Sequence, residues 1–199
     1  MTLLAIMVSM VLGIILAYTG VLPASWSETF SALPFYCLCV MLAVVGYGMG
    51  KDKEALRILL KSNLYTLLIP LGTVTGTLLG GFVAGTALNM AIRESMAVAG
   101  GFGWYTYSAV YLTEVCSPDL GAIAFLSNVF REVLAIFTIP PLVRITGMYP
   151  AVSVGGATTM DVTLPIIVKY AGSQAGIAAF IHGVIISAIV PVLLPVILG

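Results

Sequence analysis

Apolar residues fall along this chain in long runs, without the strict alternation of a half-buried strand. Residues 3–21 and 33–50 are each close to the length of about 20 predominantly apolar residues that a helix needs to cross a bilayer. The segment between them, with Pro23, Ser25, Ser27 and Glu28, reads as a short loop. Residues 51–61 carry the densest charge, with Lys51, Asp52, Lys53, Glu54, Arg57 and Lys61. Residues 64–84 form a third apolar run. Gly72, Gly76, Gly80 and Gly81 recur along it, and small residues four apart let another helix approach closely.

The second half keeps the long runs but interrupts them. Residues 89–115 contain Arg93, Glu94 and the sequence Gly100-Gly101-Phe102-Gly103. Residues 120–143 contain Asn128, Arg131 and Glu132. Residues 151–170 contain Gly155, Gly156, Thr158, Thr159, Asp161 and Pro165. Residues 175–198 contain His182, Pro191 and Pro195. These runs predict an all-α membrane protein of about seven membrane segments, forming one domain over 1–199. Two segments, 89–115 and 151–170, are expected to be broken or re-entrant. The positive-inside rule puts residues 51–61 in the cytoplasm. If every segment crosses, the N-terminus is also cytoplasmic and the C-terminus lies outside.

Composition agrees with a bilayer setting. Hydrophobic residues make up 60% of the 199 positions, charged residues 8%, and mean hydropathy is +1.13. A soluble domain carries about 25% charged residues. The net charge is zero, so no nucleic-acid or polyanion partner is indicated. The first run lacks a basic flank and is long for a signal peptide, which reads it as a retained helix. Cys37, Cys39 and Cys116 read as small membrane-embedded residues, with no metal site and no cofactor implied.

Ionisable groups inside membrane segments are expensive, and they face a protein interior or a watery cavity. Asp161 follows two glycines and two threonines and precedes Pro165, which lacks an N–H. The expected result is an unwound stretch with free carbonyls, two hydroxyls and a carboxylate. Such breaks are tolerated at membrane depth where they are buried or line a cavity, and in transporters they form substrate and ion sites. Asn128, Arg131 and Glu132 lie near one helix face by their spacing. Each charged one then seeks a partner on another helix, and Asp161 is the natural partner for Arg131. Trp104 and Tyr105 follow the glycines of the other break. They read either as an aromatic surface for an ammonium group or as an interfacial belt. Arg93 and Glu94 are placed at the membrane edge, and His182 is read as a buried, neutral, hydrogen-bonded histidine.

Together, Gly101-Phe102-Gly103-Trp104-Tyr105 with Ser108, Asn128 with Arg131-Glu132, and Gly155-Gly156-Ala157-Thr158-Thr159-Met160-Asp161 with Leu164-Pro165 closely resemble the bacterial lysine exporter family. Ile181-His182-Gly183 and Pro191 look similar too. The resemblance is to the C-terminal two-thirds of the family and implies a cation:proton antiporter-like transporter of the bacterial inner membrane. It would export L-lysine and its analogue thialysine, coupled to proton exchange. The residues read as candidate substrate or ion contacts are Asp161, Glu132, Arg131, Asn128, Thr158, Thr159, Gly101, Gly103, Trp104 and Tyr105. Asp161 and Glu132 would hold the substrate's positive charges or a proton. The substrate carboxylate would sit at a helix N-terminus in a break, or near Arg131. Family members carry a further N-terminal membrane region, so a small membrane protein or a homo-oligomer is expected to supply the missing helices. Two other readings of the residues stand beside this one: a monovalent cation:proton antiporter, and a non-transporting scaffold subunit. No hydrolase motif is present.

Overall fold

A computed structural model describes residues 64–199 continuously, together with separate positions between residues 8 and 47. The chain divides into two compact units, Met1–Val40 and Met41–Gly199. In the first unit the described positions, among them Val8, Val11, Leu12, Ile15 and Leu16, are helical. The other positions of the runs 3–21 and 33–50, Cys39, and the charged stretch 51–61 lie outside the described residues.

The described part of the second unit is all helical. Helix α1 is Leu64–Ala87, α2 is Ile92–Ala99, α3 is Tyr105–Val115 and α4 is Pro118–Thr146. Helix α5 is Met148–Gly155, followed by a 3-10 turn at Gly156–Met160; α6 is Leu164–Ala171 and α7 is Ser173–Leu198. Among the described residues three helices are long and apolar enough to cross a membrane, at Leu68–Ala87 within α1 and over the whole of α4 and α7.

Local chemistry sets the boundaries. Ser117 caps α4, its hydroxyl accepting from the Leu120 N–H at 3.2 Å, and Pro118 occupies the first turn, where its missing N–H costs nothing. Gly147 and Gly172, at φ 87° and 88°, allow the chain to reverse between α4 and α5 and between α6 and α7. Along α1, Gly85 and Gly81 receive α2. A methyl group at Gly85 would lie 2.8 Å from the Ser95 Cβ, and the Ser95 hydroxyl donates to the Gly81 carbonyl at 2.7 Å. Gly72, Gly76 and Gly80 have open space around them instead. Of the four glycines expected to admit a neighbour, Gly81 alone does so among the described residues.

The core draws Ile69 from α1, Ala135 and Ile139 from α4, Val152 from α5, Ile167 from α6, and Ala175, Ala178 and Ala179 from α7. The outside is equally apolar. Leu71 and Leu79 on α1, Phe130, Leu134 and Phe137 on α4, and Val192 and Val196 on α7 are all exposed. Exposed apolar surface on this scale is incompatible with water and suits lipid.

The runs 89–115 and 151–170 are interrupted, as expected. Each is a pair of short helices around a non-helical break: α2 and α3 around 100–104, and α5 and α6 around 156–163. The longest of these helices, α3, has 11 residues and spans about 17 Å, too little to cross a bilayer core by itself.

Candidate functional site

The first break turns on Phe102 and Gly103, at φ 50° and 90°. Phe102 is fully buried, and a bulky residue in the left-handed region is strained unless its surroundings hold it. Asn128 on α4 supplies that support. Its side-chain oxygen accepts from the Gly103 N–H at 2.7 Å. Its nitrogen donates to the carbonyls of Val98 at 3.0 Å and Ala124 at 2.9 Å, and to the Ser108 hydroxyl at 3.3 Å. The side chain is buried, and its bonding capacity goes to joining the two ends of the break. Gly101 is confined by the same group: a Cβ there would lie 2.6 Å from the Asn128 nitrogen and 2.7 Å from the Ser108 hydroxyl.

The second break begins at Gly156, φ 62°. Thr158 and Thr159 fold back, their hydroxyls donating to the carbonyls of Gly155 and Gly156, each at 2.9 Å. Thr163 closes the loop, its N–H and hydroxyl both donating to the Thr158 carbonyl at 3.0 and 3.1 Å. Pro165 then enters the first turn of α6. The three threonines are buried. Asp161 is exposed, and one carboxylate oxygen accepts from the Val162 N–H at 2.6 Å.

The two breaks cross. The Ala157 N–H donates to the Phe102 carbonyl at 2.9 Å. Any Cβ on Gly156 would run into that carbonyl oxygen, and one on Gly103 would lie 3.4 Å from the Thr158 methyl. Helix α7 presses on the other side, where a Cβ on Gly183 would lie 2.5 Å from the Met160 nitrogen. The neighbouring His182 is fully buried. Its Nδ1 pairs with the Thr159 hydroxyl at 2.9 Å and its Nε2 with the Thr73 hydroxyl of α1 at 2.8 Å. One ring N–H and one ring lone pair suffice for this chain, so the buried, hydrogen-bonded histidine expected from sequence is present, and it links α1 to the second break.

Charge collects beside the crossing. Arg131 donates to the Thr77 hydroxyl of α1 at 3.3 Å and stands over the Phe102 ring, 5.6 Å from its centre. The expected pairing of Arg131 with Asp161 does not form. Arg131 points toward α1, while Asp161 sits on the exposed side of its loop and is held by its own backbone. Glu132 is buried, and among the described residues its Oε2 has no hydrogen-bond partner. Trp104 packs against Tyr107, ring centres 5.2 Å apart, and Tyr105 meets Phe125 edge-on.

The crossing therefore gathers Gly101, Gly103, Asn128, Arg131, Thr158 and Thr159, with Glu132 next to Arg131 on α4 and Asp161 at the end of the 3-10 turn. Sequence reasoning missed Thr73, Thr77 and Thr163. Thr73 and Thr77 are four apart and so share a face of α1, a signal masked by the apolar run around them. Arg93 is exposed at the start of α2, away from the crossing.

Comparison with known proteins gives a consistent match. Residues 7–198 match the family described as lysine exporter LysO. A protein of Escherichia coli strain K12 named "Lysine exporter LysO" is 35% identical over 152 residues, which is 76% of this chain and 50% of that protein. A protein of Haemophilus influenzae named "Putative lysine exporter" is 30% identical over 177 residues, 89% of this chain and 88% of its own length. This chain thus spans about half the length of its E. coli relative. No solved structure matches.

Proposed function

The chain belongs to the lysine exporter family, and from that premise we propose that it is a secondary transporter moving L-lysine, or a similar cationic amino acid such as thialysine, out of the bacterial cytoplasm in exchange for protons. The observation that carries the reading is the crossing of two helix breaks beside the buried carboxylate of Glu132, whose Oε2 has no partner among the described residues. A buried acceptor without a donor costs about 1–3 kcal/mol, and more for a charged group. A substrate ammonium or a proton relieves that cost. Asp161 offers a second carboxylate, one oxygen held by the Val162 N–H and the other open. Two carboxylates favour arrival of a cation, and release follows when a proton takes its place. Thr158, Thr159 and the glycine carbonyls are the neutral oxygens of the site, with Trp104 and Tyr105 as its aromatic flank.

In this reading the interrupted pairs α2–α3 and α5–α6 are broken or re-entrant membrane segments. They complete a multi-pass protein of about seven segments in the inner membrane. The open face of α1 at Gly72, Gly76 and Gly80 is where further helices seat, from a small membrane protein or a second copy of this chain.

The test is export of labelled lysine from preloaded cells by the wild type and by Asp161→Asn at equal membrane abundance. The amide holds neither an ammonium charge nor a transferable proton, so export should cease. Wild-type rates in the variant would refute the assignment of Asp161.

A further inference from the structure

Arg131 is the unusual charge of this unit. It lies within a membrane-spanning helix, yet no carboxylate among the described residues pairs with it. A guanidinium has five N–H donors in a rigid fork. Among the described residues one of them makes a hydrogen bond, to Thr77, and at 3.3 Å that bond is long. The Phe102 ring covers one face of the group. The guanidinium also reaches the second break, since a Cβ on Gly156 would lie 3.4 Å from it. A cavity of about 420 Å³ between α1, α2 and α4 opens onto the same side chain, lined also by Thr77, Gly81, Ser95, Ser127 and Ala99. That volume falls within the range of about 300–1,000 Å³ typical of small-molecule sites. No acidic residue lines it among the described residues.

Position and chemistry thus divide the neighbourhood of the crossing into two poles. The carboxylates of Glu132, buried on α4, and Asp161, exposed on the second break, supply the negative charge of one. Arg131, with the hydroxyls of Thr77, Ser95 and Ser127 around its cavity, forms a basic one. An amino acid carries both signs of charge, whereas a diamine or an inorganic cation carries only the positive one.

Building on the lysine-export reading, we infer that Arg131 and the cavity beside it form the α-carboxylate subsite, which makes a free carboxylate a condition for binding. A bidentate guanidinium–carboxylate pair fits a fork whose donors are largely uncommitted. The specificity consequence is that decarboxylated or amidated lysine is rejected although its ammonium groups are intact. Rejection follows because the fork is then left without its anion in a partly desolvated setting. Hydrogen bonds to charged groups differ from their absence by roughly ten- to a hundredfold in affinity.

The experiment is binding of labelled lysine to the purified full chain, with competition by lysinamide, cadaverine and norleucine. The expected result is that lysinamide and cadaverine compete at least about tenfold more weakly than lysine. Arg131→Gln should lower lysine affinity to the lysinamide level and leave lysinamide affinity little changed, with Arg131→Lys recovering part of the preference. Norleucine, which keeps the carboxylate and lacks the ε-ammonium, should lose its competition in Arg131→Gln. Equal competition by lysine and lysinamide in the wild type would overturn the subsite and leave lysine export standing. An Arg131→Gln variant that weakens both ligands equally would reduce Arg131 to a structural role and overturn it too. Absence of lysine binding in the wild type would take down the export reading and the subsite together.

Discussion

Ala157 donates its backbone N–H to the carbonyl of Phe102 at 2.9 Å, so each of two helix breaks satisfies the other. In hydrocarbon an unpaired backbone group costs several kcal/mol, which is why irregular backbone at membrane depth is buried in protein. Here the partner is the second irregular stretch. Neither break needs water to complete its bonding at this point.

Among the described glycines, Gly156 should be the least replaceable. Gly156→Ala forces a side chain into the left-handed region and into the Phe102 carbonyl. The expected loss is on the order of 3 kcal/mol, with transport abolished. Gly13→Ala, at a helical position with open space around it, is the control and should stay within about 0.5 kcal/mol of wild type. Thermal unfolding of the two variants in one detergent compares them, and equal stability would contradict the crossing.

Asn128 should behave as a positioning residue with no direct hold on substrate. Asn128→Leu strips the Gly103 N–H of its partner, at about 1–3 kcal/mol, while the Val98 carbonyl keeps the Gly101 N–H at 3.3 Å. Asn128→Asp keeps the local acceptor for Gly103 but turns a buried oxygen toward the carbonyls of Val98 and Ala124, so its overall loss should be at least as large. Hydrogen exchange at Gly103 should rise in Asn128→Leu and less in Asn128→Asp. A variant with unchanged stability and a raised KM would instead make Asn128 a substrate contact.

Removing His182 should cost comparatively little. In His182→Leu the Thr73 and Thr159 hydroxyls still have the Ile69 and Gly156 carbonyls as acceptors. The loss should be about 1–2 kcal/mol, that of the two links themselves. Denaturant unfolding measures it. A much larger loss would mean that the ring bears load beyond these two hydroxyls.

Topology can be read with cysteines placed in a chain whose native Cys37, Cys39 and Cys116 are first changed to serine. Ala55→Cys should resist a membrane-impermeant thiol reagent in intact cells, and Gly199→Cys should react. The reverse pattern would invert the orientation. Subunit masses in mild detergent decide between a second copy and a small membrane protein on the α1 face. A monomer that exports lysine in liposomes would exclude both.

The helices were legible because lipid demands one thing of them, an apolar run of sufficient length. The breaks were legible because Gly100, Gly101 and Gly103 in one run, and Gly155, Gly156 and Pro165 in another, cannot sustain regular hydrogen bonding. The crossing itself was not, since nothing in either segment names the other as its partner. Arg131 shows the limit. The positions of Arg131 and Asp161 made an ion pair reasonable, yet the direction of a side chain around α4 and the outward face of the 161 loop are settled by packing. Thr77 won the contact as a neighbour on α1, and no charge pattern pointed to it.

Synthesis order gives the crossing one more meaning. When Phe102 leaves the ribosome, its eventual donor has not yet been made, and all of α4 must be translated first. Asn128 arrives in that interval and can fasten Val98 and Gly103 before Ala157 appears. The first break is thus held in shape by one side chain during biogenesis and sealed by backbone only at the end. A chain cut after Thr146 would keep the fastener and never receive the seal, leaving a half-finished bend for the membrane's quality-control proteases to find.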